Sequence, residues 1–372
     1  MKISIVGTRG IPAKYGGFET FAEEIAALLT REGIEVCVQC DCNSYPHDNL
    51  NGVKLFFSSV TKSDHPLIYY YEGLKWGLKN SDIVLIATYF GSPFYFLNLF
   101  RKKPIITNPD GLEYKRLKWS FPVKIYIRIS ELLAVIFSDY LIADSENIKK
   151  YLSNTFRFAK KKIRLIEYGA YPNNEPYYEV LKKYGLKHDN YYLIVCRIEP
   201  ENNLDMILTA YLKAKTNRPI IITGNILNTK YEKKLINKYR SEKILFLGGI
   251  YEKKELKGLR YSCKAYIHGH SVGGTNPSLL EAMANHNIIL AHDNIFNREV
   301  TSEKQLYFRD TEQCTERINE IEVMADDEIN KYKKMSYDLI INKYNWERIL
   351  KEYIDFFREI NVMSCDQNFA VR

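Results

Sequence analysis

Two stretches of this sequence gather residue types that can bind an oxyanion. Gly7-Thr8-Arg9-Gly10-Ile11-Pro12-Ala13-Lys14-Tyr15-Gly16-Gly17-Phe18-Glu19 follows a strand-like run and ends where a helical pattern begins. Gly16 and Gly17 let backbone N–H groups approach a phosphate while the helix N-terminus supplies positive potential; a tight turn is the competing reading. The spacing is neither G-x-G-x-x-G nor G-K-[ST], which disfavours simple NAD or ATP binding. In the second stretch, His268 to Met283, Pro277 and Ser278 mark a helix start, so the segment Gly274, Thr275, Asn276, Pro277 and Ser278 is expected to form another anion cradle. Glu281, about one turn inside that helix, can accept hydrogen bonds from a ribose diol. Arg197, just past a strand, can pair bidentately with a diphosphate; a structural salt bridge is its alternative. Two cradles, an arginine and a diol acceptor together describe a nucleoside diphosphate.

A third charged loop, Asn108-Pro109-Asp110-Gly111-Leu112-Glu113-Tyr114-Lys115-Arg116-Leu117-Lys118-Trp119, also follows a strand. Asp110 there can reach a cleft, although such a loop is commonly only a solvated face. Glu19, Glu113, Lys115 and Arg116 are expected on the acceptor side. The cations, Trp119 and the amphipathic stretch Phe121 to Val135 also suit anionic lipid headgroups, with ordinary helix packing as the alternative. Cys37, Cys40 and Cys42 have no second Cys or His cluster and are expected as thiols, not zinc ligands. His268 and His270 have the spacing of metal ligands or a base, but hydrogen-bonded structural histidines are commoner at a strand end. No Asp-x-Asp occurs, which weakens any scheme in which a divalent metal holds the diphosphate.

The elements that must position these residues alternate regularly. Strand-like runs at 2–6, 36–38, 53–57, 83–87, 105–107, 140–143 and 163–166 are separated mostly by helical patterns, including one from Phe18 to Arg31. After a glycine-, proline- and asparagine-rich linker the alternation resumes, with strands near 191–196, 219–223, 244–247, 264–268 and 288–291 and helices near 203–215, 229–240, 252–261 and 278–285. This pattern predicts two doubly wound parallel α/β domains, residues 1–170 and 171–345, followed by a carboxyl-terminal helix and tail over 346–372. Ligands of such sheets bind beyond the carboxyl ends of the strands, which points to a cleft between facing domains.

The 372 residues, 46% hydrophobic and 26% charged, exclude a disordered or fibrous chain. The formal charge of +8 is too modest for a nucleic-acid footprint, so no nucleic-acid partner is expected. The excess is local: residues 101–128 hold 8 basic against 2 acidic side chains. No apolar run reaches the roughly 18–20 residues of a membrane span, and the strand-like start leaves no room for a signal peptide, so a cytoplasmic location is expected.

Taken together, the motifs resemble the family 4 retaining glycosyltransferases of GT-B fold, most closely the bacterial rhamnosyltransferase-like branch that assembles capsule, O-antigen and cell-wall polysaccharides. The resemblance runs from residue 2 to about 358 and rests on residues 6–20, Asp110 to Arg116, Ala143-Asp144-Ser145-Glu146, Arg197 to Asn203 and Gly273 to Met283. It implies that Gly16, Gly17 and Arg197 contact the donor diphosphate, that Glu281 holds the ribose, and that the helix around Trp346 returns to the first domain. Two departures are visible. Asn202 and Asn203 stand where a phosphate-binding lysine is usual, with Lys14 and Lys115 as candidate replacements for the charge. Gly273 stands where the wider family has the first of two glutamates, which suits a donor such as a 6-deoxy sugar.

The expected activity is metal-independent retaining transfer, with no cofactor, of L-rhamnose from dTDP-L-rhamnose to a lipid-diphosphate-linked saccharide at the cytoplasmic membrane face. Asp110 and Arg197 are the catalytic candidates; Asn202 joins Gly16, Gly17, Arg197, the Gly274–Ser278 segment and Glu281 in the donor site. The alternatives are a sugar-nucleotide epimerase or phosphorylase of the same fold, or a non-catalytic peripheral membrane or nucleic-acid-binding protein.

Overall fold

Apolar β-branched runs such as Ile83-Val84-Leu85-Ile86-Ala87, buried at every position, are the mark of strands covered on both faces. The computed structural model describes residues 1–99, 103–109, 111–226 and 228–369, with side chains through Val362. The chain forms two compact units: Met1–Lys115, Trp119–Tyr168 and Glu347–Arg372 make the first, Arg116–Lys118 and Gly169–Trp346 the second.

In the first unit the strands are β1 (Lys2–Val6), β2 (Glu35–Cys40), β3 (Asn49–Leu50), β4 (Val53–Phe57), β5 (Ile83–Ala87), β6 (Ile105–Asn108), β7 (Tyr140–Ala143) and β8 (Ile163–Leu165). They pair in the order β3-β4-β2-β1-β5-β6-β7-β8, and all neighbours are parallel except β3 with β4. The two-residue β3 is too short to show a period of two and has no counterpart among the sequence expectations. The helix Gly17–Arg31 buries Phe21, Ala22, Ile25, Ala26, Leu28 and Leu29 at helical spacing. The helix Trp346–Phe369 is fixed to this unit by Tyr353 against Phe21, Phe356 edge-on to Tyr140, and an Arg164–Glu359 ion pair.

In the second unit β9 (Tyr192–Val195), β10 (Ile220–Thr223), β11 (Ile244–Gly248), β12 (Ala265–His268), β13 (Ile289–His292) and β14 (Leu306–Phe308) form an all-parallel sheet in the order β11-β10-β9-β12-β13-β14. The three-residue edge strand β14 lies outside the sequence expectations. Tyr192, Ile194, Ile220 and Ile222 pack with Leu204, Ile207 and Leu208 of the helix Leu204–Lys213, giving this unit its own core.

One buried amide organises the loop end of the first sheet. Gln39, near the end of β2, accepts a hydrogen bond from the Gly7 N–H at 3.1 Å and donates to Ser58 Oγ and the Tyr69 carbonyl at 2.8 and 2.7 Å. A Cβ on Gly73 would fall 2.1 Å from Gln39 Oε1, so the helix Pro66–Asn80 approaches this closely only because that residue is glycine. Because three hydrogen bonds lock Gln39, Gly73→Ala is expected to cost about 1–3 kcal/mol of stability, measured as a lower urea midpoint; an unchanged midpoint would show that the amide can shift.

Candidate functional site

The polar residues with chemical potential cluster at strand ends, and each unit has its own set. In the second unit β9 delivers Arg197, whose carbonyl accepts a hydrogen bond from Asn202 Nδ2 at 2.6 Å. Asn203 Nδ2 donates to the Gly269 carbonyl at 2.8 Å, and Ser271 donates through N and Oγ to the Glu201 carbonyl at 3.0 and 2.8 Å. A Cβ at position 269 would sit 2.0 Å from the Asn202 carbonyl oxygen, so the loops after β9 and β12 touch through backbone. The Asn202 amide, expected in the donor site, holds the Arg197 main chain through this bond.

The side chains here form a compact electrostatic cluster. Glu199 lies 3.5 Å from Arg197, 3.7 Å from Arg116 and 3.3 Å from Lys118, while Arg116 also lies 3.5 Å from Glu201. Burial works to raise the Glu199 carboxyl, and Arg197, Lys118 and Arg116 overcome it, holding the group below the usual carboxylate range. Both readings of Arg197 therefore meet: it is ion-paired at rest and still one-quarter exposed. Arg116, expected with Glu113 and Lys115 on the acceptor side, belongs to this second-unit cluster. The cations beside Arg197 are Arg116 and Lys118; Lys115, proposed from sequence to replace the missing lysine, lies in the first unit in the turn Glu113–Lys115. Three cations against two carboxylates leave the cluster with one net positive charge.

The second cradle is smaller than the sequence implied. Asn276 caps the helix Pro277–Ala284 by accepting from Ser278 N and Oγ at 3.0 and 2.9 Å, and Pro277 has no N–H. At most Gly274, Thr275 and Asn276 can offer backbone donors. Glu281 stands one turn in, and its carboxylate pairs with Arg260 of the helix Lys253–Ser262. The Arg260 side chain is 5% exposed; nothing in the helical pattern 252–261 distinguished it from an ordinary solvent-facing cation.

His268 and His270 project to one side of the chain, as expected, and their rings stack at 4.4 Å and 13°. They are not the hydrogen-bonded pair that the sequence favoured: both ring nitrogens of His268 and Nδ1 of His270 are buried without a partner. Burial, with His292 adding to it, pushes the His268 imidazole down to about 3. Burial also holds His270 well below its ordinary value, helped by His268, Arg197 and Arg116. Both rings are neutral at physiological pH.

In the first unit the glycine loop precedes the helix Gly17–Arg31, which no side chain caps. Gly16 has extended backbone, open to any residue, and a Cβ there would meet only Glu19 Oε2 at 3.5 Å. Folding does not require glycine at this position, so its effect is to leave the helix N-terminus uncovered. Two carboxylates expected on the acceptor side are buried and hydrogen-bonded within the first unit. Glu19 is buried and accepts from the Arg9 N–H at 2.9 Å; Glu113 is buried and accepts from Trp119 Nε1 at 3.2 Å. Asp110 lies outside the described residues. Sequence reading missed Lys62, whose ammonium donates to the Gly7 carbonyl at 2.6 Å and is drawn below its usual value by burial against the opposing pull of Glu19. It follows β4 as Arg197 follows β9, and the same strand-end rule would have found it. Among the described residues no three His, Cys, Asp or Glu side chains form a metal-binding group.

Residues 1–72 and 96–171 match DUF1972, a domain of unknown function, and residues 179–339 match the family Glycosyl transferases group 1. The group 1 glycosyltransferase match covers most of the Gly169–Trp346 part of the second unit and none of Arg116–Lys118. An uncharacterized glycosyltransferase of Methanocaldococcus jannaschii is 26% identical over 297 residues, 75% of each chain. Sucrose-phosphate synthase of Thermosynechococcus elongatus superposes with a TM-score of 0.77 at 15% identity, over 97% of this chain and 99% of that one. Anabaena HepE, solved with UDP-glucose, gives 0.75 at 14% identity, over 96% and 100%. With two parallel-sheet α/β units, the chain has the GT-B fold.

The Arg260–Glu281 pair gives Glu281 a structural part in the second unit. Removing the carboxylate strands a buried guanidinium, so Glu281→Ala is expected to lower stability by about 1–3 kcal/mol, discounted from the roughly 3–5 of a fully buried pair because Glu281 is 35% exposed. Thermal unfolding without ligand measures this, and an unchanged midpoint would leave Glu281 no structural part.

Proposed function

We propose that the protein is a retaining, metal-independent glycosyltransferase that moves L-rhamnose from dTDP-L-rhamnose to a lipid-diphosphate-linked saccharide in polysaccharide assembly. The observation that carries this reading is the gathering of Arg197, Arg116 and Lys118 around Glu199 at the carboxyl end of β9, where Arg197 and Glu199 belong to the stretch that matches group 1 glycosyltransferases and Arg116 and Lys118 come to it from outside that stretch. When a glycosyl–phosphate bond breaks, the negative charge growing on the leaving group is what most needs stabilising, and fixed cations in a partly buried site do this without reorganising. The acceptor hydroxyl attacks on the face the diphosphate leaves, and its proton passes to the departing phosphate oxygen. Asp110, placed after β6 in sequence, orients the sugar or the attacking hydroxyl. A nucleotide sugar as donor class agrees with the UDP-glucose held by HepE. The 6-deoxy donor is supported by Gly273, where φ is +140° and a Cβ would meet nothing within 4 Å: no carboxylate stands there to take a 6-hydroxyl.

The acceptor class is supported by an exposed surface of the first unit. Along the helix Phe121–Phe137, Phe121, Ile125, Ile129, Leu132 and Ile136 are exposed, and Phe158 lies in the segment Arg157–Lys162 with Arg157, Lys160 and Lys161. Lys124 and Arg128 line the shallow groove on this helix. Apolar side chains bordered by cations fit the interface of an anionic lipid leaflet, where a lipid-linked acceptor resides. Among the described residues no helix is long and apolar enough to cross a membrane.

The donor reading is tested by metal-free thermal unfolding with dTDP, UDP, GDP and their sugar conjugates. One nucleotide at a hundred times its dissociation constant should add about 2.7 kcal/mol; Arg197→Ala should abolish most of that gain and lower turnover by about tenfold or more. A folded parent protein that none of them stabilises would overturn the donor site. Membrane docking is tested by vesicle co-sedimentation: binding to anionic but not neutral phospholipid, weakened by salt, should fall about fivefold or more in Ile125→Glu/Ile129→Glu. Equal binding by the variant would remove this helix from the membrane surface.

A further inference from the structure

The histidine pair after β12 has no part in the mechanism above, yet it concentrates unmet hydrogen-bonding capacity beside the arginine cluster. His268 is 1% exposed with neither ring nitrogen partnered, and His270 Nδ1 is buried and unpartnered as well. Native structures satisfy nearly all buried polar atoms, so three orphaned nitrogens on two stacked rings call for a ligand or an ion. A cation is excluded by charge: Arg197 and Arg116 act on His270 with positive potential, and among the described residues no metal-binding group forms.

The site is built rather than incidental. The His270 carbonyl accepts hydrogen bonds from Asn294 Nδ2 and Asn297 Nδ2, both at 2.9 Å, and Ser271 is tied to the Glu201 carbonyl. Those contacts fix the peptide after His270, and the Asn203 hydrogen bond to the Gly269 carbonyl fixes the one before it, while ring Nδ1 has no partner. A neutral imidazole brings no charge to a diphosphate, which the arginines and the helix N-terminus already serve. It offers one N–H donor and one ring-nitrogen acceptor, the pair that complements a sugar hydroxyl. The domain also lacks a side chain at Gly273, three residues on, so no carboxylate competes for that hydroxyl.

We infer that His270 is a specificity-determining residue that hydrogen-bonds a hydroxyl of the transferred sugar, with His268 stacked beneath it to fix the ring plane. The inference rests on the donor-site reading and adds the part of the donor that is recognised. A site that reads a hydroxyl through a buried polar group discriminates strongly against a donor lacking it, because the group is then left unpaired.

Calorimetric titration of the full chain with two matched pairs, dTDP with dTDP-L-rhamnose and UDP with UDP-glucose, separates the duties. For His270→Ala, the affinity for the free nucleoside diphosphate should stay within about threefold, while that for the preferred nucleotide sugar should fall about tenfold or more. His270→Gln, which keeps an amide donor and acceptor at similar reach, should recover part of the loss. Equal weakening of nucleotide and nucleotide sugar, or no weakening of either, would overturn the inference and leave the donor site standing. Absence of nucleotide binding by the folded parent protein would overturn the donor site and the inference with it.

Discussion

A parallel strand covered by helices on both faces offers its side chains almost nothing but apolar surroundings, so polar groups are pushed to where the strand stops. The constraint is visible residue by residue: β6 ends on Asn108, β10 on Thr223, β12 on His268 and β13 on His292, each after an apolar run. Thr223 Oγ1 caps the Gly248 carbonyl at 2.7 Å, and Asn108 Nδ2 reaches Tyr168 Oη at 3.2 Å, so most of these terminal groups are absorbed into the structure. His268 is not. The strand ends of this protein thus differ in the state of their hydrogen bonds more than in residue type.

Charges displaced to these ends must be balanced before any ligand arrives. Glu199 offsets the mutual repulsion of Arg197, Arg116 and Lys118, and Glu281 does the same for Arg260. The contacts around Glu199 span 3.3–3.7 Å and fix the cations beside one carboxylate. On the donor-site reading proposed above, a diphosphate would meet cations already held in place. Preorganisation comes from the same carboxylates that would otherwise compete.

The alternation of strands and helices was legible because it depends on local periodicity, and so was the placement of Arg197, Gly16 and the Gly274–Ser278 segment in loops that follow strands. The two short strands β3 and β14 escaped because pairing with a neighbour, not pattern, defines them. The partnerships escaped for a related reason. Glu19 and Glu113 read as available acids in sequence, but their burial is set by Arg9 and Trp119 through contacts that no spacing rule encodes. Arg116 and Lys115 are neighbours in the chain and belong to different units. Ser278 was counted as an anion donor although the side chain two residues before it takes its N–H, a capping preference that the Asn-Pro-Ser order did announce.

The helix Phe121–Phe137 shows how far burial alone can discriminate. One side buries Ile127, Ser130, Glu131, Ala134 and Val135 against the first unit, and the other exposes Phe121, Ile125, Ile129, Leu132 and Ile136. A surface helix of an isolated domain needs one apolar stripe; this one has two, and the more hydrophobic of them is the uncovered one. Of the polar members of the buried side, Glu131 is held by Arg128 and Tyr151, while the Ser130 hydroxyl is buried without a partner and only its carbonyl accepts from Ser92. Packing against the first unit accounts for the apolar inner stripe and does not cover the outer one. An outer stripe of that size, lined by Lys124 and Arg128, exceeds what a single packed helix needs, and it is on this excess that the proposed docking to an anionic leaflet rests.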